Sequence, residues 1–374
     1  PEPRKGNEMA YYARDDFFNN PEILARSVEI LKGKLTLDWM TCGREDANCR
    51  PSHPRRGLTF GDTNVGRYGW DQIPEKIRHN YSMAPRGAVL SPGLPHLGYD
   101  INRKSEVWSE NAPELYEESK ARHWIPSREV PWEAVEKLDH SPDFERALAQ
   151  LYTDLTSMAT ILGDIPSKWV WRINQELVEL KMWQCSQMFD AAQLADVFRK
   201  RAIAGGTGLG QDHAPLGELM KAVFDASTYP CASASGYLLL CGLMQALMRH
   251  MGAVSTNKAD ETIARFGVQD VSRSIAYGIG HMRYLIATRP HEATAIANHL
   301  DEVENSAVGL LGAPIFISSL ALITAGNRAG AAAAVPRVMA LYRRFANEHA
   351  ARRRAAGLAS EHSPIEAFVR SLEA

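Results

Sequence analysis

The sequence predicts an all-α protein. From Ser141 onward, apolar residues recur in three- and four-residue steps over stretches much longer than a strand. Helix punctuation bounds those stretches: Ser141-Pro142-Asp143 reads as an N-cap with proline at the first helical position, and glycine clusters follow the ends. No alternation of apolar and polar residues sufficient for a sheet accompanies them.

Taken in order, residues 1 to about 125 are rich in Pro, Gly, Asn and Arg and read as an irregular arm. Segments such as Cys49–Gly57 and Ala84–Gly87 cannot sustain a helix or a central strand. Trp39, Tyr68, Trp70 and Trp108 argue against simple disorder, which is poor in aromatics. The arm is expected to lie on a folded body, its own or a partner's. A helical bundle spans 126–335. Its first helix runs from Phe144 to Leu162 and stops at Gly163-Asp164-Ile165-Pro166. The second covers Ser167 to Ala202, with Val178, Met182, Cys185, Phe189 and Val197 in helical register, and Gly205 to Gly210 ends it. A third covers Pro215 to Met251, with a break offered by Tyr229-Pro230. A fourth covers Lys258 to Thr288 and ends before Pro290. Further helices lead into 336–374, a basic helix from Pro336 to Ala356 and a tail.

The net charge of −2 provides no bulk attraction to nucleic acid or anionic membrane. The five cysteines, Cys42, Cys49, Cys185, Cys231 and Cys241, form no dense framework, which suits a reducing cytoplasm. The six residues between Cys42 and Cys49 match no common zinc spacing. Pro1–Glu8 is polar and charged, unlike a secretory signal. Ser306–Gly326 has no charged residue and approaches membrane-span length, but Pro314 and several Ser and Gly favour buried helices of a soluble bundle.

Two helical segments 80 residues apart carry the functional argument: Asp190-Ala191-Ala192-Gln193-Leu194 and Asp270-Val271-Ser272-Arg273-Ser274. Their surroundings are Glu176–Gln184, Asp196–Arg201 and Ile275–His281. Over about residues 120 to 330 the chain resembles the oxygenase and ribonucleotide-reductase-like branch of the ferritin-like di-iron superfamily. In that architecture two helices each supply a Glu-x-x-His pair and two others one Glu each. The oxygenases often write the pair as Asp-Glu-x-Arg-His. Here Asp190, Asp270 and Arg273 are retained, while Ala191 and Val271 stand in the Glu slots and Leu194 and Ser274 in the His slots. The resemblance implies a lone Glu about thirty residues before each pair. Ile161 and Cys241 stand there.

All six ligand slots, Ile161, Ala191, Leu194, Cys241, Val271 and Ser274, therefore lack carboxylate and imidazole. A buried carboxylate without a metal costs several kcal/mol, roughly, so metal and carboxylates should disappear together. Asp190 and Asp270 would orient histidine ligands in an active relative. Without histidines they are free to pair across the bundle, Asp190 with Arg273.

Glu176, Glu179, Asp196 and His281 lie turns away from Asp190 and Asp270 along their helices, so solvated or capping roles suit them better than a displaced metal site. Cys241 and Cys185 read as small hydrophobes. His213, His291 and His299 suggest no catalytic set, and no Gly-x-Ser-x-Gly, phosphate loop or dinucleotide fingerprint occurs. Arg343, Arg344, Arg352, Arg353 and Arg354 read as a solvated helix face. The resemblance implies a ferritin-like bundle acting as the non-catalytic subunit of a two-subunit di-iron oxygenase. It would carry no cofactor itself. The di-iron centre would sit in a homologous partner of a hetero-oligomer, served by a reductase. An active oxygenase with unrecognised ligands and a metal-free ligand-binding protein remain as alternatives.

Overall fold

The computed structural model describes residues 21–35, 50–63, 73–78, 84–86, 88, 96–136, 140–360 and 362–372. Cys42, Cys49, Trp39, Tyr68, Trp70 and Pro1–Glu8 lie outside them. Helices α1 (Pro21–Leu31) and α2 (Ala112–Ala121) fall within the stretch read as irregular. They are followed by α3 (Pro142–Trp169), α4 (Val178–Ala204), α5 (Ala214–Phe224), α6 (Tyr229–Val254) and α7 (Lys258–Thr288). The chain closes with α8 (Ala293–Leu311), α9 (Pro314–Ala325), α10 (Ala331–Ala355) and α11 (Pro364–Ser371). Among the described residues there is no strand, only two isolated bridges, Lys76 with Arg103 and Ile101 with Ile173.

The core is a four-helix bundle. α3 packs along α4 and α6 along α7, while α4 meets α7 across the middle. Side chains start three of these helices: Ser141 accepts from Phe144 N–H at 3.3 Å, Thr228 from Cys231 N–H at 3.3 Å, and Asn257 from Asp260 N–H at 2.9 Å. Each satisfies a donor that the first helical turn leaves free.

α3 does not stop at Gly163 as its sequence suggests. It continues through Pro166 to Trp169. Proline cannot donate to the carbonyl four residues back, that of Leu162. Gln187 of α4 supplies the missing donor, its Nε2 reaching the Leu162 carbonyl at 3.2 Å in the buried interior. α4 accordingly starts later than expected, after 3₁₀ turns at Val170–Arg172 and Gln175–Leu177. Most of the stripe that marks α4 as a helix lies on its outer side, where Phe189 is 54% exposed, while Val197 at its end is buried. The residues buried with Val197 include Leu180, Trp183, Gln187, Asp190, Ala191, Leu194 and Phe198.

α6 contains a π-helical segment, Ala234–Leu240, in which the N–H of Cys241 reaches back five residues to Gly236. Such a widened turn leaves the i→i−4 ladder incomplete. Arg352 of α10 donates from Nε to the Leu238 carbonyl within it, at 3.0 Å. The guanidinium passes directly over Gly242, where a Cβ would sit 2.3 Å from Nη2. Arg352 and Arg353 are thus buried rather than solvated. Arg353 pairs with Glu304 and Asp301, and His349 and Ser363 also bond Glu304, tying α8, α10 and the start of α11 together. α10 also begins earlier than Pro336, because the alanines from Ala331 are strong helix formers that extend it upstream.

The uncharged Ser306–Gly326 stretch is divided between α8 and α9, bent by 61°. α6 is long and apolar enough to cross a membrane, but its apolar window is wholly buried in the protein, which accounts for its composition. Parts of the arm join the core: Trp108 and Val107 are fully buried, Ile73 and Ile77 nearly so. Arg86 enters the interior to pair with Glu179.

Replacing Gly242 by alanine should destabilise the fold by roughly 1–3 kcal/mol, because the guanidinium over it must move. Gly217→Ala on α5, where a Cβ meets nothing, should stabilise by about 1 kcal/mol. In an Arg352→Ala background the Gly242 penalty should largely vanish. Urea unfolding of the four variants measures this; an undiminished penalty would dissociate Gly242 from Arg352.

Candidate functional site

α4 and α7 cross so that Asp190 faces the Asp270–Arg273 pair, which is one turn apart on α7. Arg273 donates from Nη2 to Asp190 Oδ2 at 2.6 Å and to Asp270 Oδ1 at 2.6 Å. The pairing expected of Asp190 and Arg273 is thus made, and Asp270 shares it. Trp124 donates from Nε1 to the other Asp270 oxygen at 2.8 Å, and the Ser119 hydroxyl lies 3.4 Å from both Asp190 oxygens. Ser119 lies in the last turn of α2 and Trp124 follows that helix, so this part of the chain lids the cluster. All these groups are at least nine-tenths buried.

Two carboxylates share one cation here. Burial pushes Asp190 up to about 7, the Asp270 charge adds to this, and Arg273 opposes it. Burial also raises Asp270, against Arg273 and the Trp124 hydrogen bond. Burial works against the Arg273 charge, but the two carboxylates outweigh it. The cluster therefore binds a proton near neutrality, which cancels its excess negative charge.

The six residues that the sequence resemblance places at ligand slots are mostly, but not all, interior. Ala191 and Leu194 on α4, Val271 and Ser274 on α7, and Cys241 on α6 are all buried. Ala191 lies against α3 at Gly163, and Leu194 against α7 at Gly267. Cys241 and Ser274 touch across the α6–α7 contact, and burial pushes the Cys241 thiol up. Ile161 is only half-buried, whereas Leu162 beside it is fully inside. Ala191, Leu194 and Val271 offer no donor atom, and Ser274 and Cys241 face each other. Among the described residues no group of three or more His, Cys, Asp or Glu is arranged to hold a metal ion. These residues do not fit a di-metal centre.

The remaining candidates stand apart. Glu179 is neither solvated nor capping: it is 1% exposed and neutralised by Arg86, whose Nη1 also donates to the Glu176 carbonyl at 3.0 Å. A carboxylate in the interior needs a cation, and the arm supplies one from far away in sequence. Asp196 is exposed beside Lys200. His281 is fully buried, bonded to Ser233 at 2.9 Å, and burial holds it down to about 3, so it stays neutral. His281 belongs to an aromatic cluster that sequence reasoning did not single out. Tyr229 and Tyr277 share a hydroxyl hydrogen bond at 2.8 Å, and Tyr277 lies against Trp183 and Tyr237. Only the i, i+4 spacing of Tyr277 and His281 hinted at it.

No protein-family model matches the chain, and no curated protein does. Solved structures match in fold. A variant of an R2-like ligand-binding oxidase with an anaerobically reconstituted Mn/Fe cofactor aligns with 68% of this chain and 95% of its own, with a TM-score of 0.53 and 15% identity. Another variant, with the cofactor reconstituted aerobically, aligns with 66% and 94%, with a TM-score of 0.51 and 14% identity. The fold is therefore the ferritin-like helical bundle.

Because the folded-state pKa of Asp190 is raised above its ordinary value, its contribution to stability is full in acid and is lost as pH rises through about 7. Asp190→Asn should abolish that loss. Between pH 5 and 8 the variant should gain stability relative to the parent, at up to about 1.4 kcal/mol per pH unit below pH 7. Urea unfolding at several pH values checks this; a parallel pH dependence in both proteins would refute it.

Proposed function

We propose that this chain is a non-catalytic, structural subunit of a two-subunit non-haem di-iron oxygenase, bracing a homologous metal-bearing subunit. The premise is a ferritin-like bundle similar in fold to R2-like oxidases that carry a Mn/Fe cofactor. The single observation that carries the reading is the content of the midline. Where the frame would hold ligands, α4 presents Ala191 and Leu194 and α7 presents Val271 and Ser274, all buried. The two remaining carboxylates are occupied by Arg273.

The physical sense of this is charge balance. A metal-bearing bundle buries carboxylates because cations neutralise them. Here the ligand carboxylates are gone, and one guanidinium and one proton serve the two that persist. A centre built this way contributes a rigid packing surface rather than redox chemistry. The di-iron would reside in the partner, in a hetero-oligomer supplied with electrons by a reductase, and the cytoplasm is the compartment that suits the cysteines free among the described residues, Cys185, Cys231 and Cys241.

After loading with ferrous iron and desalting, the purified chain should retain well under one iron per polypeptide by plasma mass spectrometry. Mixed with a homologous chain bearing two Glu-x-x-His pairs, it should co-elute as a hetero-oligomer and be required for oxygenase turnover. Two irons per chain with an oxo-bridge absorption band would overturn the reading, and so would full turnover by the homologue alone.

A further inference from the structure

The segment 205–213 joins the first helical hairpin, α3–α4, to α5, and it lies along α3. Three backbone groups of Gly210 and Gln211 are held there by side chains. Gly210 N–H donates to Thr153 Oγ1 at 2.8 Å, Gln211 N–H to Gln150 Oε1 at 2.7 Å, and the Gln211 carbonyl accepts from Gln150 Nε2 at 2.8 Å. Only glycine permits this approach at position 210, where a Cβ would stand 2.6 Å from the Cα of Gln150. The same Gln150 Nε2 donates to Asp154 Oδ1 at 2.9 Å, and His213 Nε2 lies 3.3 Å from that oxygen. Asp154 is 1% exposed, and its second oxygen, Oδ2, has no hydrogen-bond partner.

We propose that residues 205–213 form a latch on α3, fastened by Gln150, Thr153, Asp154 and His213, that is tighter in acid than at neutral pH. An ionised Asp154, with one oxygen unpartnered, holds its charge in a medium that solvates charge poorly, whereas a protonated one has no charge to solvate. Burial pushes this carboxyl up to about 6, against the pull of His213 and Gln150, with Asp212 adding to the rise. In the open latch the carboxyl returns to water and to its ordinary value near 4. Closure therefore takes up a proton. It is favoured below that ordinary value and loses its advantage as pH rises through about 6.

The other charges facing the segment do not compete for this proton. At its start Glu145 and Arg201 lie against Gly205, and they are committed to each other, to His140 and to Asp260. α9, which also packs on α3, has no titratable group, and Glu218 and Lys221 of α5 point to solvent.

Hydrogen–deuterium exchange of the full chain tests the latch at the amides that make it. After correction for intrinsic exchange rates, Gly210 and Gln211 should be about tenfold more protected at pH 5 than at pH 7.5, the effect of roughly one pK unit. Asp154→Asn, which mimics the protonated carboxyl, should be protected at both pH values, and His213→Ala should lose protection at both. Equal corrected protection of the parent at the two pH values would overturn the proposal. So would a parent-like pH dependence in Asp154→Asn.

Discussion

One guanidinium organises the middle of this bundle. Arg273 holds Asp190 from the facing helix and Asp270 from its own, and Trp124 closes over the second carboxylate. Removing a charge from water costs several kcal/mol, so a buried carboxylate must find a cation, a donor or a proton. Here it finds all three. The register of α4 against α7 and the path of the chain from Ser119 to Trp124 both follow from that requirement.

The same rule recurs at each place where a charge enters the interior. Arg201 is gripped by Asp260 and Glu145 at one end of the bundle, Arg353 by Glu304 and Asp301 in the outer helices, and Glu179 by Arg86 from the arm. Arg352 is the exception that explains the π-helical segment. Its nearest carboxylate, on Glu348, is 3.9 Å away, and burial holds its pKa down to about 10. What it does have is the Leu238 carbonyl, within the turn that the π segment widens. An irregular helix and an under-neutralised arginine thus satisfy each other.

Much of the architecture was legible in the residues. α7 has the limits its sequence suggests, the break before Tyr229 is real, and Asp190 meets Arg273 as expected. Other features were not legible, for identifiable reasons. Pro166 looks like a terminator because its partner donor, Gln187, is 21 residues further along the chain. Most of the apolar stripe of α4 faces outward because the opposite face packs inside, where Trp183, Ala191 and Leu194 lie beside Gln187 and Asp190, whose partners are on α3 and α7. Arg352 and Arg353 look solvated because a run of arginines usually is, and the carbonyl and carboxylates that receive them come from α6 and α8.

The sequence by itself determined the helical class and the order of the bundle helices, because periodicity, caps and residue identity are local properties. Only the tertiary structure decided which polar residues face inward, where helices run through a proline or widen into a π turn, and which slot residues touch. Those outcomes depend on whether a buried group finds a partner within hydrogen-bonding distance, and the partner is almost always supplied by another helix.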